Sequence, residues 1–202
     1  MRFASNLVLI ITILFVSCYE AYGSDLNDDL LLSVRLSQLK QFQQLLSKGA
    51  DPNYRDENGD PQYRPVVMEQ AAVNKNSMYL QLCLERGANP DALDSYKSSP
   101  VIFQAVKHSQ LENVKLLVKH GANLNVQNKS GNTPLHTAIA VKNYDIAHFL
   151  VLNGASLKVE DKWGYTPVDL LEEFGDAGVE KGSKYYEWYL KFVALVGEKN
   201  TE

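Results

Sequence analysis

Two landmarks return along this chain of 202 residues at nearly one period. A Gly-Ala pair stands at Gly49-Ala50, Gly87-Ala88, Gly121-Ala122 and Gly154-Ala155, in steps of 38, 34 and 33 residues. A proline opens an apolar run at Pro65, Pro100, Pro134 and Pro167, in steps of 35, 34 and 33. A chain that repeats itself at this interval folds as a row of small units. Each unit buries its apolar side only by stacking on a neighbour, so stability is close to a sum of units and interfaces.

Each landmark has a mechanical reason. Proline suits the first turn of a helix, where its missing N–H has no partner to lose and its ring presets φ. Thr133, Thr166 and Ser99 precede such prolines, where an N-cap oxygen is wanted. Glycine ends the second helix of a unit because the chain turns there through positive φ. Asp51, Asn53, Asn89, Asp91, Asn123 and Asn125 follow the Gly-Ala pairs, and their side chains are expected to hold turns by bonding nearby backbone. In the fourth unit the pattern predicts a first helix over Pro134–Val141 and a second over Tyr144–Leu152.

Gly131-Asn132-Thr133-Pro134-Leu135-His136-Thr137-Ala138, followed by Asn153-Gly154-Ala155, carries a full T-P-L-H-x-A signature. Over about residues 26–196 the chain resembles the ankyrin-repeat family. The resemblance implies an all-α solenoid of about five helix-turn-helix units joined by short β-hairpin loops. The units are expected near 26–53, 54–91, 92–125, 126–158 and 159–196. It also implies that His136 knits neighbouring repeats by hydrogen bonds.

The ends and one insertion depart from the pattern. The first unit lacks a Thr-Pro opening but keeps Leu39, Phe42, Leu45 and Leu46, and begins with Asp28-Asp29, where acidic residues suit a helix N-terminus. The last unit opens correctly at Thr166-Pro167, then runs into a glycine-rich linker from Gly175 to Gly182. A final helix over about Ser183–Val196 places Tyr185, Trp188, Tyr189, Phe192, Val193 and Val196 on one face. It reads as an atypical C-terminal cap, with an aromatic docking face as the other reading, and residues 197–202 as a tail. In the second unit extra residues lie in Asp60-Pro61-Gln62-Tyr63-Arg64. Insertions in repeats map to loops on one face, often the binding face, although surface loops also absorb insertions cheaply.

The N-terminal Met1-Arg2 and the apolar run Leu7 to Val16 read as a secretory signal peptide, since the run is shorter than a bilayer span. Two processing readings stay open. Ala21-Tyr22-Gly23 places small residues for ordinary cleavage, leaving a leader of residues 1–23. Leu14-Phe15-Val16-Ser17-Cys18 instead resembles a bacterial lipobox, with residues 1–17 as leader and Cys18 as the lipidated mature N-terminus. These readings point to the periplasm, with a lipid tether to the outer membrane under the second. Cys83, inside Leu80-Gln81-Leu82-Cys83-Leu84, reads as a small buried hydrophobe.

Lysine and arginine number 20 against 24 aspartates and glutamates, a balance unlike that of nucleic-acid binders. The four histidines lack metal-ligand spacing, and no nucleophile elbow or phosphate loop is present. The expectation is therefore a non-catalytic chain with no cofactor and no metal. Function falls to surface. Mapping onto the ankyrin repeat places Glu57, Asn58, Ser95, Tyr96, Lys129, Ser130, Lys162 and Trp163 at hairpin tips, with Tyr63, Arg64 and Tyr165 adjacent. Tyrosine, tryptophan and arginine most often dominate interface energy, so Tyr96, Trp163 and Tyr165 are candidates for an aromatic strip. The role expected is an inhibitor or immunity protein against a secreted toxin or lipase. The alternative is a scaffold or assembly factor for an envelope or stress-response enzyme. The chain is expected to be monomeric before binding.

Overall fold

The computed structural model describes residues 25–58, 64–176 and 178–200. The leader with Cys18, and the inserted Tyr63, lie outside the described residues. The chain divides into two compact units, one ending at Asp51 and one starting at Pro52.

The first unit holds the helix pair α1 (Leu26–Arg35) and α2 (Leu39–Ser47). Asp25 caps α1 by accepting the Asn27 N–H at 2.9 Å, and Asp28 and Asp29 occupy its first turn. Leu30, Leu31, Val34, Phe42, Leu45 and Leu46 are buried. Asn27 Oδ1 accepts the Asp51 N–H at 2.7 Å, holding the exit of α2 to the start of α1.

The second unit stacks three helix pairs and a divergent last one. These are α3 (Val67–Val73) with α4 (Met78–Glu85), α5 (Ile102–Lys107) with α6 (Leu111–Lys119), and α7 (Pro134–Ala140) with α8 (Tyr144–Leu152). They end with α9 (Pro167–Phe174) and α10 (Lys184–Asn200). The first helices α3, α5, α7 and α9 pack in one row, and α4, α6 and α8 in another. Helices of six to nine residues are too short to persist alone in water, so this lateral packing holds them. Apolar side chains on facing helices, among them Leu80, Ile102, Leu117, Leu135 and Leu150, are fully buried.

Every second helix except α10 ends the same way. At α8 the Gly154 N–H bonds Val151 O and the Ala155 N–H bonds Leu150 O, with Gly154 at φ 95°. This paired closure satisfies two carbonyls that the helix leaves open, and requires a left-handed residue at the glycine. The alanine of each Gly-Ala pair is buried against the helix it closes. That is why both letters of the pair recur.

The proline landmark behaves differently. Pro134 and Pro167 open their helices, with Thr133 and Thr166 as N-caps in reciprocal capping boxes with His136 and Asp169. Pro65 and Pro100 do not: α3 starts at Val67 and α5 at Ile102. Ser99 is not an N-cap, because its carbonyl accepts the Asp94 N–H and Pro100 bridges Leu93. Counting back from glycine is the sounder register. Among the described residues the inter-unit loops hold single bridges, Arg55 with Val66 and Leu93 with Pro100, in place of hairpin strands.

Helix α10 packs on α8, in the row of second helices. Tyr144 of α8 meets Tyr189 edge-on at 5.3 Å between ring centroids and stacks on Phe192 at 6.1 Å. His148 meets Trp188 at 5.6 Å. The Tyr144 hydroxyl donates to Gly175 O, fastening α8 to the end of α9. The inward face differs from the expected one: Leu195 joins Phe192 and Val196 in the core, while Tyr185 and Val193 face outward. The helix also continues to Asn200, through most of the expected tail.

Candidate protein-binding face

Four loops follow one another along the second unit, and each starts from an Asp or Asn that builds the turn. Asp56 Oδ1 accepts the Asn58 N–H, Asp94 Oδ1 accepts Ser98, Asn128 Oδ1 accepts Ser130, and Asp161 Oδ1 accepts both Trp163 and Tyr165, at 2.8–3.0 Å. The backbone N–H of each also closes the loop, bonding Pro65 O, Ser99 O, Asn132 O and Tyr165 O respectively. Tip position is thus set by local carboxylate and amide chemistry.

Side chains tie the first loop to the second and the third to the fourth. Arg55 donates to Leu93 O at 2.7 Å and Asp94 O at 2.9 Å, and Gln127 donates to Gly131 O and Glu160 O. The Lys162 N–H bonds Ser130 O at 3.1 Å. Gly131, at φ 80°, lies so near this strut that a Cβ would stand 2.7 Å from Lys162 N. Just before the loops, Asn53, Asp91 and Asn125 each accept a backbone N–H from the following repeat, at Asn89, Asn123 and Ser156. Asn89 and Asn123 also hold their own turns as expected, accepting the Asp91 and Asn125 N–H groups. The cross-repeat bonds arise because stacking brings the next turn within reach.

His136 does what the resemblance implied. It is buried, its Nδ1 accepts from Thr133, and its Nε2 donates to Tyr165 O at 3.0 Å in the following loop. A carbonyl at Nε2 requires the proton there, which defines the neutral tautomer. Burial pushes the imidazole below its usual pKa, only partly opposed by the Tyr165 carbonyl and Asp161.

The equivalent residue two repeats earlier is Glu69, an assignment the prolines hide. Glu69 stands 18 residues before Gly87, as His136 stands 18 before Gly154. Its buried carboxylate accepts the Ser95 N–H at 2.9 Å and the Ser95 hydroxyl, so the polarity of the cross-repeat bond is inverted. Asp94 beside it is also buried, and accepts from Ser98 Oγ and Gln104. Burial raises the Asp94 carboxyl, but the bonds from Ser98, Gln104 and Ser99 prevail and hold it below the ordinary range. This network under the Tyr96 tip was missed by motif reading, and the glycine register was the signal available for it.

The tip residues expected to bind fall into two groups. Tyr96 is 59% exposed, Trp163 69% and Tyr165 36%, and Asn58, Lys129 and Lys162 are exposed as well. Arg64 is not free: it is half-buried and ion-paired with Glu57, which also lies 3.8 Å from Lys97. The Arg64 N–H bonds Ser95 O at 3.0 Å, which with the Lys97 contact braces the first tip against the second. The aromatic strip is interrupted, because Tyr96 and Trp163 occupy the second and fourth loops with the polar Asn128-Lys129 tip between them. Trp163 and Tyr165 share one loop and line an open groove with Gly164, Asp169, Glu172 and Glu173. Cys83 is buried, and burial pushes its thiol up to about 12, outside the range of reactive thiolates.

Stacked helix pairs that display tethered loops on one edge define a repeat protein of the binding class. The chain belongs to the ankyrin-repeat family, whose repeats bind other proteins. A family model for ankyrin repeats, in three copies, matches residues 67–161. The chain is 34% identical over 127 residues to cyclin-dependent kinase 4 inhibitor B of Rattus norvegicus, covering 63% of this chain and 92% of that one. It is 28% identical over 138 residues to mitochondrial disaggregase of Bos taurus, covering 66% of this chain and 19% of the relative. It is 39% identical over 77 residues to a B-cell lymphoma 3 protein homolog of Mus musculus, covering 38% and 17%. The chain thus spans under a fifth of the length of these last two relatives.

Proposed function

We propose that this chain is a non-catalytic inhibitor or immunity protein of the bacterial periplasm that binds and neutralises a secreted toxin or lipase. The observation that carries the reading is Trp163, an aromatic side chain 69% exposed on a loop whose backbone is bonded on both sides. A large exposed ring on a prepared turn loses little conformational freedom on binding. The leader-like start, with its apolar run from Leu7 to Val16, supports export. The relative that this chain spans by 92% carries the name of a kinase inhibitor, which supports an inhibitory role for an ankyrin array of this extent.

The experiment is an affinity capture by the mature protein from periplasmic extract of its own host, with mass spectrometry of what is retained. Stoichiometric recovery of a secreted toxin or lipase is expected. Recovery of a resident envelope enzyme moves the assignment to a scaffold or assembly factor. Fractionation that finds the chain in the cytoplasm overturns the location.

A further inference from the structure

We propose that the groove beside the fourth tip receives an arginine side chain presented by the partner protein. The inference rests on the tip edge being the docking face. The groove is open, about 580 Å³, and its walls differ in chemistry. On one side stand the exposed Trp163 and Tyr165 rings, carried by a loop that Asp161 organises. On the other stand Asp169, Glu172 and Glu173, which fall at i, i+3 and i+4 on α9 and so share a face.

These walls suit one kind of occupant. Indole and phenol faces attract cations, and a guanidinium can lie flat on a ring while its edge N–H groups bond a carboxylate. An ammonium lacks that planar edge, and a neutral apolar group leaves the carboxylates unused. Among the described residues no cationic side chain forms an ion pair with Glu172 or Glu173, although Glu57 and Glu112 elsewhere are paired. Asp169 is already engaged, accepting the Thr166 N–H at 2.7 Å and its hydroxyl at 2.6 Å. The two glutamates therefore provide the open acceptors, and Asp169 adds negative field. Lys162, exposed on the same loop, is the only cation in that tip sequence, so the groove keeps an acidic balance.

The test is NMR titration of the full chain with a short blocked peptide carrying one arginine, read at the Trp163 indole N–H and the Gly164 amide. The controls are the same peptide with citrulline, which keeps the shape and loses the charge, and with lysine. Saturable shifts at both signals are expected with arginine, weaker shifts with lysine and none with citrulline. The double variant Glu172→Gln, Glu173→Gln should lose about tenfold in affinity, and added salt should weaken binding. Equal response to citrulline, retention of affinity in the double variant, or no response to arginine overturns the proposal. Partner capture that depends on Trp163 but not on the two glutamates leaves the docking face standing and removes the arginine. Arginine-peptide binding without any Trp163-dependent capture does the reverse.

Discussion

Gly131 and His136 show how much one position can carry in a stack of short helices. Gly131 combines positive φ with backbone closer than any side chain tolerates. Gly131→Ala should therefore cost about 2 kcal/mol or more, lowering the melting temperature by about 5 °C without changing the helical spectrum. His136 makes a pH prediction. Its folded pKa lies below its unfolded value of about 6.5, so the unfolded chain takes up the proton first as pH falls. The contribution of this group is full above that value and is lost as pH drops below it toward the folded pKa. Denaturant titrations from neutral pH to pH 5 should show His136→Gln with a flatter pH dependence than the parent; equal slopes would place the dependence elsewhere.

Elements in this chain are stabilised mainly by neighbours, and α10 is the clearest case. Second helices stack in a row, and the row would end on an exposed α8 if α10 did not cover Tyr144 and its surroundings. Phe192 is fully buried in that contact. Phe192→Ala should cost about 3 kcal/mol, measured by urea unfolding followed through Trp188. The loss should be local, because interfaces in an array are nearest-neighbour terms. Hydrogen exchange should show lost protection in α8, α9 and α10 while α3 to α6 keep theirs. Uniform loss over all of these helices would mean that the second unit melts as one block.

At the scale of the molecule, the loops are held in pairs, the first with the second and the third with the fourth, because side chains bond across repeats at several levels. Arg55, Glu69, Gln127 and His136 each reach into the following loop. A partner therefore meets a surface whose tips are already positioned, and affinity should concentrate at the exposed rings. Trp163→Ala should weaken binding by about 2 kcal/mol, close to thirtyfold, with the helical fold intact. Unchanged affinity, measured calorimetrically with the captured partner, would move the anchor away from the fourth tip.

The repeat period, the glycine closures and the two Thr-Pro N-caps were legible in the residues because each rests on short-range chemistry. So was the existence of a final covering helix, through its aromatic spacing. What escaped such reading depends on which groups stacking brings together. The proline landmark drifted by one and two positions in the third and second units, so Ser99 looked like a cap and Glu69 went unnoticed. Arg64 looked like an anchor until Glu57 stood beside it in an ion pair. Local sequence specifies turns and helix ends, since their hydrogen bonds close within a few residues. Pairing, burial and exposure are settled by residues about 30 positions apart, and they exist only once the repeats are stacked.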